Sequence, residues 1–124
     1  MQIIYVGIGG FLGAVSRFLV SRYASNLLGT FPLGTFLVNV VGSFFLGFIM
    51  YSSLLGKQVS VEFRSFAAVG FIGAFTTMST FAFETVKLYE LKNYGMFGVN
   101  LFANIVLSIV AVIAGRELAY FFAK

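Results

Sequence analysis

The chain has no cysteine and no histidine, a single proline, and only four acidic residues among 124. The first two absences, with so few carboxylates, remove the usual ligand set for zinc, haem or an iron–sulfur cluster. They also remove nucleophilic catalysis by a Ser–His or Cys–His pair, so the sequence does not read as that of an enzyme. Charge is scarce as well: 10% of residues are Asp, Glu, Lys or Arg, and the eight basic ones, which leave a net charge of +4, are scattered along the chain. Nucleic-acid binding needs a basic patch, so no nucleic acid is expected as partner. The cations read instead as anchors at the lipid headgroups and as topology signals.

What is present is overwhelmingly apolar. Hydrophobic residues make up 60% of the chain and the mean hydropathy is +1.00, far above a soluble domain. The apolar stretches reach the roughly 20 residues that a helix needs to cross a hydrocarbon core of about 30 Å. They lack the strict alternation of a membrane β-barrel. The fold class predicted is therefore an all-α integral membrane protein. The first stretch, from Gln2, has no basic n-region or small-residue cleavage site and is expected to stay in the mature protein.

Four spans are predicted at about 2–22, 33–54, 65–90 and 95–121, making residues 1–124 a single four-helix domain with membrane lipid around it. Pro32 and Gly29 mark the first connection and the start of the next helix; "GKQVSVEFR" and "LKNYG" form the other two. One side of the membrane then holds Lys57, Arg64, Arg116 and Lys124, and the other Arg17, Arg22, Lys87 and Lys92. Four against four leaves the positive-inside rule almost nothing to act on. A chain that inserts both ways can form an antiparallel homodimer about a two-fold axis in the membrane plane. The alternative is that Arg17, one turn inside the first span, counts for little and a weak bias remains.

The first span carries Gly7, Gly10 and Gly13, and Gly9 to Gly13 has the GxxxG spacing that lets helix backbones approach in lipid. The string also resembles part of a dinucleotide loop, but no strand precedes it and no acidic residue follows at the right distance. Gly42, Gly47 and Gly70 are read as packing positions too.

Polar side chains at membrane depth are costly and mark functional positions by default. Thr35, Asn39 and Ser43 fall at i, i+4 and i+8 in the second span, and Asn100, Asn104 and Ser108 repeat the pattern in the fourth. Each trio makes one stripe. Such groups can simply tie helices together, at about 0.6 kcal/mol per bond, and a Ser or Thr can satisfy itself one turn back. An Asn amide has more donors and acceptors than its own helix can satisfy.

In the third span, "GAFTTMSTF" places Gly73 before Thr76, Thr77, Ser79 and Thr80. This is a poor sequence for continuous helix, and an interruption near Gly73–Thr77 is predicted. Carbonyls freed there can hold a small cation, and the N–H groups of the following half-helix an anion. Beyond it lie hydroxyl donors and phenylalanine ring edges rather than carboxylates, which makes a small anion the better-matched traveller.

"GGFLGAVSRF", "GTFLVN" and "GAFTTMSTFAFE" together resemble the bacterial Fluc/CrcB fluoride channels over essentially the whole chain. The resemblance implies an antiparallel, dual-topology homodimer in the bacterial inner membrane, with two pores that pass fluoride passively, exclude chloride and export fluoride accumulated from entering HF. It implies that Asn39 and Phe81 line the pore, with Met78 where a second aromatic is usual and conduction surviving at an altered rate. Thr35, Ser79, Thr80 and Glu84 would extend the path, as would Asn100, Asn104 and Ser108, while Arg17 would draw anions into a vestibule. A structural sodium ion at the dimer centre would be held by the backbone carbonyls of Gly73 and Thr76, with Ala74 where the family has a second glycine.

Two other readings compete. A proton-coupled exporter of the small multidrug-resistance type also has four spans, but it needs a membrane-embedded carboxylate in the first span, which has none. A non-transporting assembly subunit would explain the glycines but not two in-register polar stripes.

Overall fold

The structure is a computed structural model describing residues 1–24, 27–56 and 58–123. Lys57 and Lys124, used above to weigh topology, lie outside the described residues.

Helix α1 covers Gln2–Ala24, α2 Leu33–Leu54 and α3 Val61–Arg64. The chain continues as a π-helix over Ser65–Ile72, a single turn α4 at Gly73–Phe75, α5 at Met78–Glu90 and α6 at Tyr94–Ala123. Four segments are long and apolar enough to span a bilayer: Gln2–Ala24, Leu33–Leu54, Val61–Glu90 and Tyr94–Ala123. At 1.5 Å per residue even the shortest is about 33 Å long. No strand occurs among the described residues. The protein is all-helical and multi-pass.

The third span starts at Val61, four residues before the predicted 65. Ser60 is the cause: its side chain accepts a hydrogen bond from the Phe63 N–H at 3.0 Å, capping a first turn that also carries Glu62. At the other end, Lys92 adopts a left-handed backbone (φ 62°), so that the Lys92 and Asn93 N–H groups reach back to Tyr89 and Leu88. Asn93 then caps α6 by accepting from the Met96 N–H at 3.3 Å.

Two close helix contacts organise the chain. A Cβ on Gly9 or Gly13 would collide with the carbonyls of Phe66 and Phe71, so α1 lies directly on the π-helix. A Cβ on Gly47 or Gly115 would collide with Val112 and Phe44, which places α2 directly on α6. Gly7 faces nothing within 4 Å, so of the two predicted glycine spacings it is Gly9–Gly13 that packs. At one end of α6, Arg116 sits 5.6 Å from the Tyr51 ring centre and 4.9 Å from that of Tyr120, a cation–π arrangement suited to the interface.

The core is small and partly polar. Buried beside Val38, Ala68, Ile72 and Phe81 are Thr35, Thr85, Asn100 and Asn104. In lipid there is no hydrophobic gain from helix association, so these polar contacts and the glycine approaches fix how the spans sit.

Candidate functional site

Helical backbone stops at Phe75 and resumes at Met78; Thr76 (φ −83°, ψ 157°) and Thr77 (φ −150°, ψ 119°) between them are extended. Such backbone exposes groups that need partners at this depth. The Thr77 N–H, which would otherwise bond the Gly73 carbonyl, donates to Asn39 Oδ1 at 2.8 Å. Asn39 Nδ2 donates in return to the Thr77 carbonyl at 3.2 Å. The Thr77 hydroxyl caps α5, accepting from the Thr80 N–H at 3.2 Å and donating to the Thr80 hydroxyl at 3.1 Å. Thr80 N–H is thereby turned away from the Thr76 carbonyl.

These caps leave the carbonyls of Gly73 and Thr76 without the donors a continuous helix would give them. The Ala74 carbonyl between them accepts from Arg17 Nε at 3.0 Å. Through Nε, Arg17 thus ties α1 to α4.

Asn39 also reaches across to α6. Its Nδ2 donates to Asn104 Oδ1 at 3.3 Å, so both of its N–H groups are engaged within the chain. Asn104 Nδ2 donates to the backbone and side-chain oxygens of Asn100, each at 2.9 Å. Asn100 Nδ2 donates to the Thr85 hydroxyl at 2.8 Å, which donates to the Phe81 carbonyl at 2.7 Å.

Beside this network lies a cavity of about 400 Å³, whose wall includes Asn39, Ser43, Gly73, Thr76, Met78, Phe81, Asn104 and Ser108. The two in-register stripes thus meet at their Asn39 and Asn104 positions. Ser43 and Ser108 bring hydroxyls that no other described residue engages. The Phe81 side chain is buried here, whereas Met78 is 73% exposed and lines only the rim.

The remaining sequence-predicted residues lie elsewhere. Glu84 lines a second cavity of about 260 Å³ with Thr30, Pro32 and Lys87. Thr35 lies beside the Glu84 carboxyl, and one oxygen of that carboxyl, Oε1, is buried with no hydrogen-bond partner among the described residues. Ser79 is exposed and contacts the Thr77 hydroxyl at 3.4 Å. Among the described residues no group of His, Cys, Asp or Glu is placed to hold a metal.

Sequence reasoning did not single out Thr85. The available signal was its position four residues after Phe81 in a span already marked as interrupted. Thr77 was noticed only as one of four hydroxyls, although it makes both halves of the local repair.

Comparison with known proteins gives this geometry a family. The family described as "CrcB-like protein, Camphor Resistance (CrcB)" matches residues 4–116. The chain is 50% identical over 116 residues to a protein of Methanopyrus kandleri named fluoride-specific ion channel FluC, covering 93% of this chain and 86% of that one. It is 45% identical over 114 residues to fluoride-specific ion channel FluC 1 of Methanosarcina acetivorans (92% and 87% covered). A fluoride-specific ion channel FluC of Campylobacter lari is 42% identical over 114 residues (91% and 93%). With nearly the full length matched in each case, the chain belongs to the CrcB family.

Proposed function

We propose that this chain is a passive fluoride channel of the plasma membrane, not an enzyme, and that it lowers cytoplasmic fluoride by letting the ion leave. The observation that carries the reading is the cavity walled by Asn39, Phe81, Asn104 and Ser108 at the extended residues Thr76 and Thr77. It offers hydroxyl donors and a phenyl ring edge, the chemistry that replaces water around a small anion. The names of the relatives support the choice of ion.

In this reading the third span is a broken membrane helix, and the cavity becomes a pore when a second, oppositely inserted copy covers its open side. Two such copies form an antiparallel dimer with two pores. Fluoride sheds its water onto the Ser43 and Ser108 hydroxyls and the Phe81 edge, passes the Ser79 and Thr80 hydroxyls and leaves past Thr35 along the cavity that Glu84 lines. Larger halides are refused by size: a path narrow enough for its hydroxyls and ring edge to close around fluoride does not admit a wider ion. Asn104 contributes to the wall with Asn100 buried behind it, and the Arg17 charge adds to the positive field at the mouth.

A sodium ion at the centre fits the donor set. The Gly73 and Thr76 carbonyls are released from helical pairing by the Asn39 and Thr77 caps, and oxygen ligands are what a hard monovalent cation takes. Two carbonyls from each copy would hold it, and its charge would tie together two chain segments that otherwise expose only oxygens. The exporter alternative gains nothing from the structure: Glu84 sits beside Lys87 in a small separate cavity rather than in a large apolar one.

The test is direct. Purified protein is reconstituted in liposomes loaded with potassium fluoride, valinomycin is added to carry the counter-ion, and release is followed with a fluoride electrode. Rapid efflux above protein-free liposomes is the expected outcome; efflux equal to them would end the reading.

A further inference from the structure

The buried asparagines form a line with one allowed polarity. At one end the Phe81 carbonyl has no proton to give, so the Thr85 hydroxyl must donate to it. With its only proton committed, that hydroxyl can meet Asn100 only as an acceptor, so Asn100 must turn its NH₂ toward Thr85 and its oxygen toward Asn104. Asn104 must then present NH₂ to Asn100 and oxygen to Asn39. Asn39 must present NH₂ to Asn104.

The far end demands the same orientation independently. The Thr77 N–H requires Asn39 Oδ1, and the Thr77 carbonyl requires Asn39 Nδ2. Neither terminal backbone group can be reversed, although an amide can be flipped. Asn100 is fully buried, Asn104 is 4% exposed and Thr85 is 7% exposed, so water has little access to substitute for a missing link.

We infer that Thr85 is a positioning residue: through Asn100 and Asn104, its single hydroxyl locks the Asn39 amide from the far side in the one orientation that Thr77 also requires, and so steadies Thr76 and Thr77 in their extended form at the cavity. Where this bears on ion passage it rests on the channel reading above. It divides the labour within the wall. The three asparagines spend their N–H groups mainly on one another and on backbone, and Ser43, Ser108 and Phe81 remain to meet the ion.

The experiment uses full-length protein labelled with ¹⁵N-asparagine in lipid nanodiscs. The chain has five asparagines, at 26, 39, 93, 100 and 104, so the side-chain amide pairs are few enough to assign. In the unaltered protein both Asn39 side-chain N–H protons should be protected from exchange with deuterated water; free exchange would overturn the inference without any variant being made. Thr85→Val should shift the amide pairs of Asn100, Asn104 and Asn39 together, and Thr85→Ser should restore all three. A change confined to Asn100 is what a local packing role produces and would overturn it.

Flux then separates the two claims. With an active parent channel, Thr85→Val should lower fluoride efflux at least tenfold and Thr85→Ser should keep it within about twofold. Equal efflux in parent and Thr85→Val would refute the positioning role while leaving the channel intact. An inactive parent would refute the channel reading, and the amide measurements would still decide the polarity of the line.

Discussion

Asn39 and Thr77 hold each other by two opposed hydrogen bonds, the Thr77 N–H to Asn39 Oδ1 at 2.8 Å and Asn39 Nδ2 to the Thr77 carbonyl at 3.2 Å. A side-chain amide here takes the place that a neighbouring strand would take in a sheet. Replacing Asn39 by Leu leaves a backbone donor and an acceptor unpaired, at about 1–3 kcal/mol each. The Asn39→Leu protein is expected to lose at least about 2 kcal/mol of stability, read as a lower thermal midpoint in detergent. An unchanged midpoint would mean the clasp contributes nothing.

Phe81 is buried against the cavity with its backbone carbonyl bound to Thr85. Substitution by Ile keeps the volume nearly filled and the backbone bond in place but removes the ring edge. Fluoride efflux from liposomes should fall at least tenfold while the elution profile stays that of the parent. Normal efflux by Phe81→Ile would show that the ring edge is not what the ion meets.

The contact between α2 and α6 tests the packing. Gly115→Ala and Gly47→Ala each drive a methyl group into the facing backbone and should cost roughly 1–3 kcal/mol, as overpacking does. Gly7→Ala, with open space around it, is the control and should be neutral. Thermal aggregation midpoints of the three variants give the comparison, and equal values would contradict the close approach.

Arg17 donates to the Ala74 carbonyl through Nε at 3.0 Å. A charged donor of this kind is worth about 1.5–3 kcal/mol. Arg17→Gln and Arg17→Lys should both reduce flux severalfold, and the loss should persist at high salt. Steering by charge alone would behave otherwise: Lys would substitute for Arg, and the effect would fade as the screening length falls below about 10 Å.

The carbonyls of Gly73 and Thr76 supply the last prediction. Exchanging sodium for a bulky organic cation throughout purification should lower dimer stability or flux, and returning sodium should restore it. Indifference of both to sodium would remove the ion from the mechanism.

How much was legible in the sequence follows from what each residue depends on. The four spans are written in composition, because hydropathy and length need no partner to be read. Asn39 and Asn104 stood out because an amide cannot satisfy itself within its own helix. Thr85 did not, since a Thr can bond its own helix one turn back, which it does at Phe81; its second role depends on Asn100, fifteen positions on. The π-helix at "SFAAVGFI" was equally hidden: apart from Ser65 its residues are apolar, and nothing in their order distinguishes π from α winding. Val61 was missed because "KQVSVEFR" reads as a charged loop unless Ser60 is recognised as a cap.

The Asn39–Thr77 clasp also has a place in time. Its partners are 38 residues apart in the chain, and Asn104 follows Asn39 by 65. At a synthesis rate of about 5–20 residues per second, the second span precedes Thr77 out of the ribosome by several seconds. When the exposed backbone of Thr77 enters the bilayer, the side chain that shelters it is already there. The fourth span then arrives last, and Asn104 locks a joint that earlier parts of the nascent chain have assembled.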